Sequence, residues 1–225
     1  MLFKIAWRNI WRNRTRSGVV IASVGVGLFA GMFMMAFFWG LAKQEIDSAV
    51  ETQLSHIQIH TPAFPDDKEP FDTIALAGAM IDQLKKEAGV KAVSGRVVTK
   101  GMITSSSTAA GVEIHGIVPD DEKKISTISE DIVEGSYFNN GKNNEILVGR
   151  KLAEKLDVRL HSKIVLTFQS ADGTLTAGSF RIAGIFRSRN AVFDETTVFT
   201  RMDDLGQLLG TGSGIHEIAI LLKEG

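Results

Sequence analysis

Residues 17–42 read SGVVIASVGVGLFAGMFMMAFFWGLA, a run of twenty-six positions with no charged side chain. As a helix it would reach about 39 Å at about 1.5 Å per residue, enough to cross a hydrocarbon core of about 30 Å with some tilt. A cleavable leader needs an apolar region of only about 7–15 residues and a small-residue cut site. This run is longer and ends in AFFWGLAKQE. It is therefore read as a retained transmembrane helix over 17–42.

Charge divides at the same place. Lys4, Arg8, Arg12, Arg14 and Arg16 precede the span, and residues 1–42 hold no acid, a local charge of +5. The whole chain carries −1, so residues 43–225 carry −6. Basic residues before the span, with Glu45, Asp47 and Glu51 after it, predict a cytoplasmic N-terminus and an extracytoplasmic domain over 43–225. The acidic larger part has no nucleic-acid footprint. With no cysteine, disulfides, thiolate metal sites and a Cys nucleophile are excluded.

Residues 1–16 have helical periodicity. Phe3, Ala6, Trp7, Ile10 and Trp11 share one face, and Lys4, Arg8 and Arg12 another. This predicts an amphipathic helix lying in the cytoplasmic headgroup layer. Trp7, Arg8, Trp11, Arg12, Arg14 and Arg16 are its membrane-interface candidates, and Trp39 belongs to the outer aromatic belt with Phe37 and Phe38. Within the span, Ser23, Gly27 and Gly31 recur every fourth residue, a small-residue face that lets a partner helix approach.

The outer part reads as α+β. Residues 43–54 extend the helix out of the membrane. Alternation predicts strands over 55–61, 90–104, 108–118, 163–169, 174–186, 192–199 and 215–222. Helices are expected over 74–88, with Gly89 as its stop, from Pro119, after the short strand at Glu145, and from Thr200, with Thr200 and Asp203 as a capping box. Asp120, Asp121 and Glu122 would face the positive end of the Pro119 helix dipole. Residues 62–72 read as loop, and 171–173 as a hairpin turn. A boundary between two subdomains is expected near 131–144.

Catalytic patterns are scarce. There is no G-x-x-x-x-G-K-[ST] loop and no G-x-S-x-G elbow. His56 and His60 share a strand face without a Glu to complete a metal motif. Glu113 and His115 read as a solvated strand face, and residues 210–214, GTGSG, as a turn. A binding or mechanical domain fits better than an enzyme.

Four stretches carry a resemblance, in order: AWRNIWRNRTRSGV (6–19), HIQIHTPAF (56–64), EILVGRKLAEKLDVRLHSKIVLTF (145–168) and FRIAGIFRSRNAVFDETTVFTRMDDLGQLLG (180–210). Together they resemble the N-terminal part of ABC transporter permeases of the MacB/FtsX-like family, with the lipoprotein-releasing branch favoured. The resemblance implies a mixed, mostly antiparallel extracytoplasmic domain of the MacB-like periplasmic type, on a bacterial inner-membrane subunit without catalysis or cofactor. It implies contact with membrane lipids, a second permease subunit (homo- or heterodimer), a cytoplasmic ABC ATPase, and a periplasmic carrier or lipoprotein substrate. That family has four membrane helices, of which this sequence holds one. The alternative reading is a single-pass anchored binding or sensor protein with no ATPase.

Overall fold

The computed structural model describes residues 7–8, 11–49, 55–138, 143–212 and 214–223. The chain divides into two compact units, Met1–Asp47 and Ser48–Gly225.

The first unit is dominated by α1, Arg14–Ala49, 36 residues long. Its Arg14–Gln44 stretch is long and apolar enough to cross a membrane, and none of it is buried. Apolar side chains surround it on every side, the pattern of a helix whose solvent is lipid. The helix overruns 17–42 at both ends, as a helical exit over 43–54 requires; residues 50–54 lie outside the described residues. Of the expected surface helix over 1–16, positions 7–8 and 11–12 are helical, and 1–6 and 9–10 lie outside the described residues.

The second unit is built on strands β1 (Ile57–His60), β2 (Val90–Thr104), β3 (Ala109–Ile117), β4 (Ile132–Gly135), β5 (Glu145–Gly149), β6 (Lys163–Gln169), β7 (Leu175–Phe186), β8 (Thr197–Arg201) and β9 (Glu217–Leu222). The helices among them are α2 (Phe64–Asp67), α3 (Ala77–Leu84), α4 (Pro119–Glu122), α5 (Arg150–Leu156), α6 (Ala191–Thr196) and α7 (Met202–Leu209). Pairing closes a ring of six strands: β2 with β3, β3 with β8, β8 with β5, β5 with β7, β7 with β6, and β6 with β2. The β3/β8 and β5/β7 pairs are parallel and the rest of the ring is antiparallel. Strands from both sides of 131–144 join this one ring.

β2 is long enough to serve two neighbours along one edge. Val90–Arg96 pairs with β9, and Gly101–Thr104 with β6. β1 then adds outside β9. The ring encloses Val97, Ile114, Ile146, Val148, Leu166 and Phe180, and α5 and α7 contribute Leu152, Leu156, Leu205 and Leu209 to the same core. A second cluster, around Phe186, Phe193 and Phe199, packs Ile117 and Ile128. α3 lays Met80, Ile81 and Leu84 on Val93, Ile218 and Ile220.

Several expectations are corrected. The predicted 192–199 strand is a helix up to Thr196, because Asn190 accepts at its side-chain oxygen from the N–H groups of Val192 and Phe193, at 3.0 and 3.2 Å. Thr200 caps nothing: its hydroxyl donates to Glu145 O at 3.1 Å, and Arg201 is the residue before α7. The 74–88 helix is shorter, stopping at Leu84 well before Gly89. The 62–72 loop holds the turn of α2, with Pro65 at its start, where a missing N–H is harmless.

Candidate functional site

On the first unit, the interface candidates meet at helical spacing. The rings of Trp7 and Trp11 lie 6.3 Å apart, and the Arg14 guanidinium lies 5.3 Å over Trp11. Arg8, Arg12, Arg14 and Arg16 are all exposed, as is Trp39 at 77%. Ser23 folds its hydroxyl back to donate to Val20 O at 2.9 Å, so it presents a compact surface. No atom lies within 4 Å of a Cβ built on Gly27 or Gly31. Phe29, Phe33 and Phe37 stack at 6.4 and 6.3 Å in a row roughly opposite that small face, at about 100° per residue.

On the second unit, sequence reasoning missed the main polar feature. Arg96, 2% exposed, sits on β2 where that strand is shared between β3 and β9. Its guanidinium donates to Glu122 at 2.7 and 3.1 Å and to Glu217 at 2.8 Å. Ser94 adds a 2.9 Å bond to Glu122, and Gln58 a 3.1 Å bond to Glu217. Burial alone would raise the Glu122 carboxyl, but the Arg96 charge beside it overrides this and holds it low. Burial likewise opposes the Arg96 charge, and its two carboxylates push its pKa up regardless. Glu122 was read as a partner of the helix dipole. In fact α4 is one turn long, and its last residue points inward, fully buried. The signal available in the sequence was a lone arginine inside an otherwise uncharged strand run, AVSGRVV.

Beside this cluster lies a recess of about 130 Å³ lined by Gln58, His60, Phe64, Lys68, Glu113 and His115, among others. Glu113 and His115 are not a solvated face. His115 is 3% exposed, and its Nε2 meets Glu113 at 2.9 Å, while Lys68 pairs with the other Glu113 oxygen. Burial pushes the Glu113 carboxyl up, and these two partners pull it down to about 2. His115 Nδ1 is buried without a hydrogen-bond partner.

His216, fully buried, fills the gap between the two neighbours of β2. Val98 N–H donates to its Nδ1 at 3.2 Å, which leaves the proton on Nε2, donated to Pro70 O at 2.9 Å. Phe64 stacks on its ring at 5.2 Å. Only the neutral ring satisfies both bonds, and burial lowers the pKa accordingly. His56, just before β1, accepts from Leu222 N–H at 3.1 Å, and His60, at the end of β1, contacts Thr61 O, so each has its own partner. Each carboxylate of the cluster is engaged by a cation, an arrangement that fixes strands to one another.

The sequence profile of the MacB-like periplasmic core domain matches residues 17–225. The chain belongs to this family. Among solved structures, the MacB-like fold is shared with the extracellular domain of the noncanonic ABC-type transporter YknZ from Gram-positive bacteria: TM-score 0.52, 16% identity, 75% of this chain and 83% of that one. It is shared also with the periplasmic region of MacB from Actinobacillus actinomycetemcomitans: TM-score 0.52, 11% identity, 74% of this chain and 73% of that one. No curated protein matches the chain. In this MacB-like domain the Arg96 cluster ties together β2, β9 and the segment after β3, elements far apart in sequence.

Proposed function

We propose that the chain is the first membrane helix and extracytoplasmic domain of a permease subunit in an ABC-type transporter. One observation carries this reading: the family match begins at residue 17 and runs to 225, so it takes in the apolar helix and the sheet domain as one inherited unit. The basic prelude sets the N-terminus in the cytoplasm. Trp7, Arg8, Trp11, Arg12, Arg14 and Arg16 rest at the inner lipid surface and Trp39 at the outer one. Ser23, Gly27 and Gly31 pack against a neighbouring helix, and the Phe29–Phe33–Phe37 row faces lipid.

The domain works as a mechanical coupler. ATP hydrolysis by a cytoplasmic partner moves the helix, and a domain cross-tied by the Arg96 cluster moves as a body rather than shearing between strands. A second permease subunit completes the transporter, and lipoprotein release from the membrane is the favoured task. Tagged protein extracted gently from its native bacterial membrane is expected to bring an ABC ATPase with it. Extraction of the protein with no ATPase, under conditions that preserve other ABC complexes, contradicts the proposal and favours a self-sufficient anchored sensor.

A further inference from the structure

The correction at 192–199 leaves an open strand edge. The β2–β3 hairpin is closed by Ser105 N–H donating to Thr108 O at 2.8 Å. Bonded pairs alternate along an antiparallel ladder, so Ile103 with Ala110 and Gly101 with Val112 exchange bonds. Ala109 and Gly111 therefore turn their N–H and C=O groups away from β2. The same alternation turns Met102 and Thr104 toward β6, their partner on the other edge of β2.

β8 covers the outer edge of β3 only from Glu113 onward, with Thr197 opposite Glu113. In that register, residues 193–196 would cover 109–112, but they are wound into α6. Among the described residues, nothing bonds the outward groups of Ala109 and Gly111.

α6 is not free to unwind and fill the place. Phe193 packs against Phe186 and Phe199 at 5.9 and 6.0 Å. Asp194 accepts from the N–H and hydroxyl of Ser188 at 2.9 and 2.6 Å. A Cβ on Gly149 would lie 2.1 Å from Asp194 O, so helix and strand are in backbone contact.

The result is a groove of about 460 Å³, with Lys100, Gly111 and Glu113 on one side and Asn190, Val192 and Thr196 on the other. The groove thus runs between the open edge of β3 and the exposed face of α6. Lys100 projects at the groove and pairs with no acid among the described residues. Glu113 is already held by Lys68 and His115.

We propose that this groove binds an extended acidic peptide segment of a partner protein, which adds as a short strand to β3 beside Ala109 and Gly111 and pairs a carboxylate with Lys100.

The test uses the full chain in lipid nanodiscs and a labelled, end-blocked peptide, Thr-Val-Asp-Val-Thr, with a version bearing Lys for Asp. Anisotropy is expected to show saturable binding of the acidic peptide, with slowed amide exchange over 109–111. Gly111→Pro removes an outward N–H that β2 does not use, and should weaken binding at least about tenfold. Thr196→Trp, a bulky uncharged change at an exposed position on the opposite wall, should do the same by filling the groove and serves if the proline variant unfolds. Lys100→Glu should reverse the preference to the Lys peptide. No saturable binding below about 1 mM, or binding unchanged by both groove variants, overturns the proposal. So does a change of oligomeric state with Gly111→Pro, which would assign the edge to a second copy.

Discussion

The helix and the sheet domain are built inside out with respect to each other. α1 holds Phe29, Phe33 and Met35 at 61–77% exposure and keeps its charges at its ends. The sheet domain buries its aliphatic and aromatic residues and, among them, a complete ion-pair cluster at 0–8% exposure. Each arrangement is stable only in its own solvent. Exposed aromatics are favourable in hydrocarbon, and buried charges persist only when every partner is present.

The largest effect is expected from breaking the buried cluster. Glu122→Ala removes one of the two carboxylates that hold the buried Arg96 charge and should destabilise the domain by about 3–5 kcal/mol in urea unfolding, with no effect on membrane association. The mirror change is Phe29→Arg on α1. It should cost about 2.5–3.5 kcal/mol of insertion, read as a lower inserted fraction in an integration assay, and leave the urea midpoint of the domain unchanged.

Acid is expected to act on the domain through His216. Its folded pKa lies below the ordinary value of about 6.5, so its contribution is complete above about pH 6.5 and is lost as pH falls through the folded value. Protonation sets a second N–H against that of Val98, costing about 1–3 kcal/mol. The wild type should therefore lose more stability between about pH 7 and pH 5 than His216→Gln does. Glu113, held down to about 2, keeps its tie to Lys68 throughout that window. The smallest effect should come from Asn190→Ala, about 1 kcal/mol from losing the α6 cap, measured by the same unfolding.

Where local pattern and tertiary context agreed, the elements were legible. The β2 bounds, the Glu145 strand with Leu152, Ala153 and Leu156 inward, and the 171–173 turn all follow from period and turn residues. The strand expected at 192–199 was misread because Val, Phe and Thr favour strands. Asn190 and the packing of Phe193 decide otherwise, and the second is a long-range contact. The Arg96–Glu122–Glu217 cluster was hidden for the same reason. Arg96 and Glu217 are brought together only by the pairing of β2 with β9, and Glu122 reaches them from α4, so neither carboxylate can be told from an ordinary surface charge in the sequence. The span needed no such partner, since twenty-six uncharged residues carry their meaning locally.

The central claim is that α1 crosses a membrane with the sheet domain outside the cell's cytoplasm. The absence of cysteine makes it directly testable with single-cysteine variants. Leu175→Cys, at a position 80% exposed on the domain, should react with a membrane-impermeant maleimide in intact spheroplasts, whereas Arg8→Cys should react only after the membrane is opened. Labelling of Arg8→Cys from outside with Leu175→Cys protected, or release of both variants from the membrane by carbonate, would contradict it.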